Sequence, residues 1–376
     1  MRLSRRQYGR LMMLGVAGAM PFLAAACSGP RGAGGSASRP TLSHDVTLSA
    51  DGRIIAFGAG AKGIGLYDWP TDTVGYIPKP VGFQTLGPAS YSPDGRKIVV
   101  VAELPRQGGE VIAESKIGIV DVTTQEMTSF PVKERVIANP TIRPDGGAVL
   151  YVGGSAMTRR PFLLDLKTRT SRELLSEQDG FYTVFRPSFV SNDTVLFVAM
   201  GPKNLELQAK VRALGTSPTS GPVPYLLKFG SKPEFAYLDA INPYLDSLRK
   251  GYLPTSISAS HSGERVAFIG LSQSEAARQA YKSGDLNRYD LFVIEGKRMR
   301  QVTHMETYMA FCSISQDGST AAFGYFPRPL REVRNFSRGR IPLELAVVDI
   351  NTGRVTRTNF VKRVYGDELR SKAAAN

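Results

Sequence analysis

Cysteine, histidine and tryptophan are nearly absent from this chain: two, three and one in 376 residues. Cys27 and Cys312 allow one disulfide at most, and none if Cys27 is modified. Cys312 stands just before Ser313-Ile314 in an apolar stretch and reads as a small buried side chain, not a nucleophile. His44, His261 and His304 have no metal-ligand spacing to one another, and a metal-dependent site needs several convergent ligands. No G-x-S-x-G nucleophile elbow occurs. The string "GAGAKG", Gly58 to Gly63, matches G-x-G-x-x-G, but "IGLYD" follows where a dinucleotide site needs a helix, so it reads as a loop. These gaps predict no catalytic residue, no metal and no cofactor.

The N-terminal segment is read apart from the fold. Arg2, Arg5, Arg6 and Arg10 form a basic start, and Leu11 to Ala26 follows as 16 uncharged residues, short of the roughly 20 that span a bilayer. The adjacent Arg5 and Arg6 in "SRRQYGRLM" resemble a twin-arginine export signal. "LAAAC" resembles a lipoprotein signal, with Cys27 as the lipidated first residue. Residues 28–40 are rich in Gly and Ser and form a tether with a reach of roughly 20 Å. The expected organisation is a signal peptide over 1–26, a lipid-anchor Cys and tether over 27–40, one domain over 41–365 and a tail over 366–376.

One phrase then recurs six times: "LSADGRIIAF", "YSPDGRKIVV", "IRPDGGAVLY", "FVSNDTVLFV", "SASHSGERVAF" and "ISQDGSTAAF". The steps between copies are 43, 51, 47, 70 and 55 residues, which is the period of propeller blades. A second phrase follows most copies, an apolar strand ending in an acid before a short turn: Asp68, Asp121, Asp165, Glu295 and Asp349. Lys228 replaces the acid in the fourth unit. Each unit therefore reads strand, Asp-Gly turn, strand, loop, strand, acid-led turn, strand. Gly suits the first turn because it tolerates positive φ, and the acids read as turn formers that accept backbone N–H groups. Continuous apolar runs such as Ile98 to Val101 fit strands covered on both faces by neighbouring units.

The Asp-Gly phrase resembles that of the TolB-like propeller family over roughly Thr41 to Phe360. The resemblance implies an all-β, six-bladed, extracytoplasmic β-propeller. The Trp-Asp repeat class fits poorly, with Trp69 alone and no Gly-His signature.

Extra length is concentrated in loops of one kind. Segments 103–115, 200–221, 271–288 and 325–342 join second to third strands, and 239–251 crosses between units; all five belong to one face. Loops on a rigid scaffold commonly carry binding residues. Two inserts read as small helices: Asn242-Pro243 to Gly251, and one begun by a Ser272/Glu275 capping box. Net charge is +14, and +10 without the four N-terminal arginines. Its densest part is Arg328, Arg331, Arg334, Arg338 and Arg340, with Phe326 and Phe336 interleaved. This is the candidate binding loop, suited to an anionic polymer, lipid headgroups or an acidic protein face. The expected function is a lipid-anchored binding module for an envelope protein or anionic envelope polymer, with no nucleic-acid partner. The alternative is a propeller enzyme of lyase or lactonase type acting on a glycan or small ester, through carboxylates such as Asp239, Asp246 and Glu332.

Overall fold

The computed structural model describes residues 46–105, 114–134, 136–154, 159–204, 206, 223–229, 234–241, 256–261, 263–282, 288–327 and 343–373. Twenty-four strands run in antiparallel meanders of four. The first sheet holds β1 (Thr47–Leu48), β2 (Ile54–Gly58), β3 (Ile64–Asp68) and β4 (Thr73–Ile77). The second holds β5 (Thr85–Tyr91), β6 (Lys97–Glu103), β7 (Ser115–Asp121) and β8 (Met127–Pro131). Next come β9 (Val136–Ile142), β10 (Ala148–Gly154), β11 (Arg159–Asp165) and β12 (Thr170–Glu173). After these run β13 (Thr183–Phe189), β14 (Thr194–Met200), β15 (Val223–Lys228) and β16 (Glu234–Tyr237). The last two sheets are β17 (Ser256–Ala259) to β20 (Arg298–Gln301) and β21 (Met309–Ile314) to β24 (Val355–Arg357). Within those two, β18 is Arg265–Leu271, β19 Tyr289–Glu295, β22 Thr320–Tyr325 and β23 Glu344–Asp349.

The sheet count corrects the expectation of six separate four-stranded blades. Four sheets have four strands, and one has eight, spanning β9 to β16. Its two halves are joined because β11 and β13 run parallel and pair at Arg159↔Thr183.

The innermost strands β1, β5, β9, β13, β17 and β21 touch in turn, and β21 returns to β1. Side chains alternate between the two faces of each sheet, so one apolar run feeds two cores. Ile98, Val100 and Ala102 pack with Ala56, Ile64 and Ile77 of the first sheet. Val99 and Val101, from the same strand, pack with Ile137, Val149 and Tyr151 on the other side. Ile98, Val100, Leu163, Phe268 and Val347, expected between neighbouring sheets, are all buried. A lone four-stranded sheet could not cover both faces, and radial repetition solves this.

Among the described residues the chain has two helices of eight residues or more. The first, α1 (Glu275–Lys282), lies in the β18–β19 insert where the sequence predicts one. Its cap differs from expectation. Ser274 Oγ, not Ser272, accepts from Ala277 N at 3.0 Å, while Ser272 Oγ, two residues earlier, accepts from Ser274 N. The insert over 242–251 lies outside the described residues. The second helix, α2 (Phe360–Ala373), runs across the 365/366 boundary between the expected domain and tail.

Candidate functional site

The recurring phrase builds a turn whose polar groups partner one another. Ser49 Oγ donates to Asp51 Oδ1 at 2.5 Å and accepts from Ile54 N at 2.8 Å; Asp51 Oδ1 also accepts from Arg53 N. The same set recurs at Ser92/Asp94 and at Ser315/Asp317. Gly52, Gly95, Gly146, Gly263 and Gly318 all sit at φ between 67° and 73°. Gly95 gives a clean test of that geometry, since a Cβ there would meet only Ala50 Cβ, at 4.0 Å. Gly95→Val should therefore cost about 1–2 kcal/mol in urea unfolding, as backbone strain and not as a Cβ clash.

The acid-led turns are equally closed. Asp121 Oδ1 accepts from Thr123 N and Thr124 N, Asp165 Oδ1 from Lys167 N and Thr168 N, and Asp349 Oδ1 from Asn351 N and Thr352 N, all at 2.8–3.0 Å. These backbone donors, those of Thr124, Thr168 and Thr352 first, hold the three carboxyls below the usual range. Asp68 is lowered chiefly by its hydrogen bonds from Arg53. Asp68, Asp121, Asp165 and Asp349 are turn formers on one face, as the sequence predicts; Glu295, expected as a fifth, instead pairs with Arg265 at 3.0 Å.

That face also narrows the central channel. A cavity of about 60 Å³ is lined by Thr47, Ser90, Thr141, Ser188, Ser258 and Ser313, one hydroxyl from each innermost strand. A water needs about 10–15 Å³ of such space, so it holds a few waters at most. Two of the hydroxyls bond to the next strand round: Ser313 Oγ accepts from Leu48 N at 3.1 Å, and Ser258 Oγ from Ile314 N at 3.3 Å. On the outside of the short turns, an open dish of about 400 Å³ is lined by Pro144, Val190, Ser191, Asn192 and His261.

Further along the channel, two neighbouring innermost strands carry the same distortion. Asn139 in β9 has φ 48° and Arg186 in β13 has φ 45°, each directly before a proline, Pro140 and Pro187. Each lies two residues before its ring hydroxyl, Thr141 or Ser188. Both strands bulge there: pairing steps from Ser188↔Leu196 to Phe185↔Val198, and from Thr141↔Leu150 to Ala138↔Val152. A side chain other than glycine at positive φ costs about 1–3 kcal/mol, and a bulge re-aims the residue it carries. Arg186 Nη1 accordingly reaches the next innermost strand and donates to Ser256 Oγ at 2.9 Å. Ser256 Oγ also accepts from Cys312 N at 3.1 Å. The Cys312 thiol is fully buried, which pushes its pKa up to about 11, as suits the inert role expected of it.

The strand bounds place the β6–β7, β14–β15, β18–β19 and β22–β23 loops, which are the long ones, on the face opposite the short turns. Arg328, Arg331, Arg334, Arg338 and Arg340 lie outside the described residues, as do Arg5, Arg6, Cys27, Asp246 and Glu332. Phe326, expected as an interleaved recognition aromatic, is instead buried in the core between the last and first sheets. Asp239 is exposed on a short 3-10 turn. His304 Nδ1 lies 3.0 Å from Gln301 Nε2. Among the described residues no three His, Cys, Asp or Glu side chains gather as a metal site would require.

The sequence reading missed Arg186, Asn139 and Asp290, the last a carboxylate buried in the middle of a sheet. The repeated signal for the first two was present: "NPT" and "RPS" hold the same register to the ring hydroxyl in successive units.

Sheets arranged radially about a polar channel define an all-β propeller. No family model and no curated protein matches the chain. Solved structures similar to it include a TolB-like protein from Agrobacterium tumefaciens at 13% identity, covering 76% of this chain and 90% of that one, with a TM-score of 0.50. TolB from Acinetobacter baumannii is 12% identical over 83% of this chain and 62% of its own, with a TM-score of 0.49. The chain thus spans less than two thirds of that protein. An oligogalacturonate lyase in complex with manganese is 16% identical over 85% of this chain and 77% of its own, with a TM-score of 0.49. At such identities the likeness concerns the fold alone.

Proposed function

We propose that this chain is a lipid-anchored, extracytoplasmic, six-bladed propeller that works as a binding module. The six-bladed reading takes the eight-stranded sheet as two blades, supported by its two meanders of four strands and the single parallel pair between them. Arg5 and Arg6 direct export, and Cys27 carries the lipid. The partner is an envelope protein or an anionic envelope polymer, held by Arg328, Arg331, Arg334, Arg338 and Arg340. Nucleic acid is not a partner in that compartment.

The observation that carries this reading is the inequality of the two faces. On one, the short turns use their carboxylates and hydroxyls on their own backbone. Those groups are committed to folding. At the opposite end lie the strand ends from which every long second-to-third-strand connection leaves, among them Tyr325 and Glu344, which flank the arginine-rich segment. A merely solvated loop gains nothing by gathering charges of one sign, which repel. Arginine's planar fork suits carboxylate and phosphate. Single exposed contacts contribute about 1 kcal/mol or less, so binding rests on several of them.

The test is a pull-down from the native envelope with the full-length chain. Changing Arg331, Arg334 and Arg338 together to Ser should leave the thermal unfolding curve unchanged. Partner capture should fall about tenfold or more, at ~1.4 kcal/mol per decade, with the loss greatest at low salt. Undiminished capture at both low and moderate salt would return the loop to an ordinary solvated edge.

A further inference from the structure

We propose that one tip of the long-loop end, built from Lys62, Lys79 and Val81 of the first sheet, rests on the anionic bilayer leaflet that holds the lipid anchor. This rests on one part of the reading above, the lipid on Cys27, and not on the arginine-rich loop.

The direction of the chain decides which end of the ring faces that leaflet. β1 pairs antiparallel with β2, Thr47 opposite Ala56 and Leu48 opposite Ile55. Val46 therefore enters beside the end of β2, from which the β2–β3 loop leaves, and not beside the Asp51-Gly52 turn. The 18 residues of segment 28–45, between Cys27 and the fold, thus arrive from the long-loop end. As coil, such a segment reaches about 21–25 Å on average. A seven-residue strand such as β6 is itself about 23 Å tall. Turning the short-turn face to the membrane would use that whole reach to pass the ring, and turning the long-loop face to it uses little.

That end differs from sheet to sheet. In the first sheet the β2–β3 loop and the β4–β5 crossover meet backbone to backbone, since a Cβ on Gly63 would lie 2.6 Å from Lys79 N. Phe83 fixes the crossover by packing with Ile77 and Leu86. Val81, between Pro80 and Gly82, is left 100% exposed. Among the described residues the other exposed large apolar side chain is Phe235, which leans on the Phe181 ring at 4.9 Å. Lys62 is exposed and lies 5.0 Å from the centre of the Tyr76 ring. Segments 54–67 and 74–87 hold Lys62 and Lys79 and no acid. Glu103, which pairs opposite Thr85, accepts from Thr85 Oγ1 at 2.8 Å. The crossovers between later sheets each carry an acid: Glu134, Glu177, Asp239 and Glu306.

An apolar tip flanked by ammonium groups suits the boundary of an anionic bilayer. Val81 can enter the headgroup zone while Lys62 and Lys79 meet lipid phosphates. A protein partner would need a patch of about 800 Å² with several anchors, whereas a fluid surface accepts a single tip. The attraction fades over about 10 Å at 0.1 M salt, so the tip works only when held close. The anchor supplies that proximity. A ring leaning on its first sheet keeps the loops of the sheets across the channel clear of the leaflet and open to a partner.

The test uses the mature lipid-carrying chain in vesicles of phosphatidylcholine with or without phosphatidylglycerol. Cys312 is buried and Cys27 holds the lipid, so one introduced cysteine takes a nitroxide alone. Val81→Cys reports on the tip, and Thr71→Cys, exposed in the β3–β4 turn, on the opposite end of the same sheet. Collisions with oxygen, which enters lipid, and with an aqueous nickel chelate are then compared by spin relaxation. With phosphatidylglycerol present, the label at Val81 should meet oxygen freely and nickel about tenfold less than the label at Thr71 does, as for a side chain below the headgroups. Omitting phosphatidylglycerol, or changing Lys62 and Lys79 to Ser, should restore nickel access without moving the thermal unfolding curve. Equal nickel access at Val81 and Thr71 in anionic vesicles overturns the proposal, as does shielding that survives loss of both lysines. Shielding from oxygen and nickel together also overturns it, because a second copy and not lipid would then cover the tip. The variant with Arg331, Arg334 and Arg338 changed to Ser should keep the shielding. A Cys27 without acyl mass would end the anchor reading and this proposal together, whereas nickel reaching Val81 in an acylated chain ends this one alone.

Discussion

Phe360→Ala should lower the free energy of unfolding by about 3–5 kcal/mol, the range for deleting a buried phenyl ring. Phe360 begins α2 and is fully buried. It makes edge contacts with Phe57 at 4.9 Å and Tyr67 at 5.4 Å, both in the first sheet. The same core includes Phe311, Leu345 and Val347 of the last sheet. The helix therefore bridges the two ends of the ring. Its position matters because, among the described residues, every sheet is made of consecutive strands, so none is exchanged between first and last sheets. Closure rests on this core, on the Leu48–Ser313 hydrogen bond and on α2. Asn359 and Arg363 add contacts to Asp72 at 3.2 and 2.7 Å at the exposed rim. Urea unfolding measures the loss, and hydrogen exchange locates it. Exchange in Phe360→Ala should quicken first in β1–β4 and β21–β24. Equal quickening in all sheets would mean that α2 is packing like any other and not a clasp.

Asp290→Ala should cost about 3 kcal/mol or more. Asp290 is fully buried and surrounded by donors. Oδ1 accepts from Met305 N at 2.7 Å and Thr303 Oγ1 at 2.8 Å, and Oδ2 from Gln301 Nε2 at 3.0 Å. Removing the carboxylate takes the acceptor from Met305 N and Thr303 Oγ1, at about 1–3 kcal/mol each before relaxation, while Gln301 Nε2 keeps only Thr303 O. Asp290→Asn is no simple rescue. Its amide would face Gln301 Nε2 donor to donor, and flipping Gln301 would break its bonds to Thr303 O and from Gln273 N. Burial pushes the Asp290 pKa up, against the pull of Met305 N and Thr303. A raised carboxyl favours folding most below its unfolded value of about 4, and that contribution fades as pH rises through the folded value. The gap between wild type and Asp290→Ala, read from urea midpoints, should therefore be larger at pH 4 than at pH 7. The turn carboxyls Asp121, Asp165 and Asp349 act in the opposite sense. Their pKa values are lowered, so their contribution is present above about pH 4 and lost as pH falls through the folded values.

What the sequence made legible was local and repeated. Ser92-Pro93-Asp94-Gly95 states its own turn, because hydroxyl, carboxylate and αL glycine meet within four residues. Six such statements at blade spacing announce radial sheets, and the loop lengths between them announce unequal faces. The rest depended on partners distant in sequence. Asp290 looks like one polar position in the strand "YDLFVIE", and only the return of residues 301–306 makes it a hub. Phe360, Val361 and Tyr365 form a brief apolar stripe amid charges at the end of the expected domain, and its role as a clasp shows only when the first sheet covers it. Arg186 becomes unusual only when β14 pairs past it and forces the bulge. The shared pair Arg159↔Thr183, which merges two expected blades into one sheet, is a single contact that no pattern encodes.

The proposed function requires that the long-loop face, and not the short-turn face, meet the partner. Lysine cross-linking of the full-length chain in its own envelope, read by mass spectrometry, tests this directly. Lys116, Lys203 and Lys282 stand at the long-loop end of the sheets, and Lys97, Lys167 and Lys297 at the short-turn end. Intermolecular cross-links are expected from the first three and few from the second. Cross-links concentrated at Lys97, Lys167 and Lys297 would contradict it, because they would place the partner on the face whose polar groups the fold already uses.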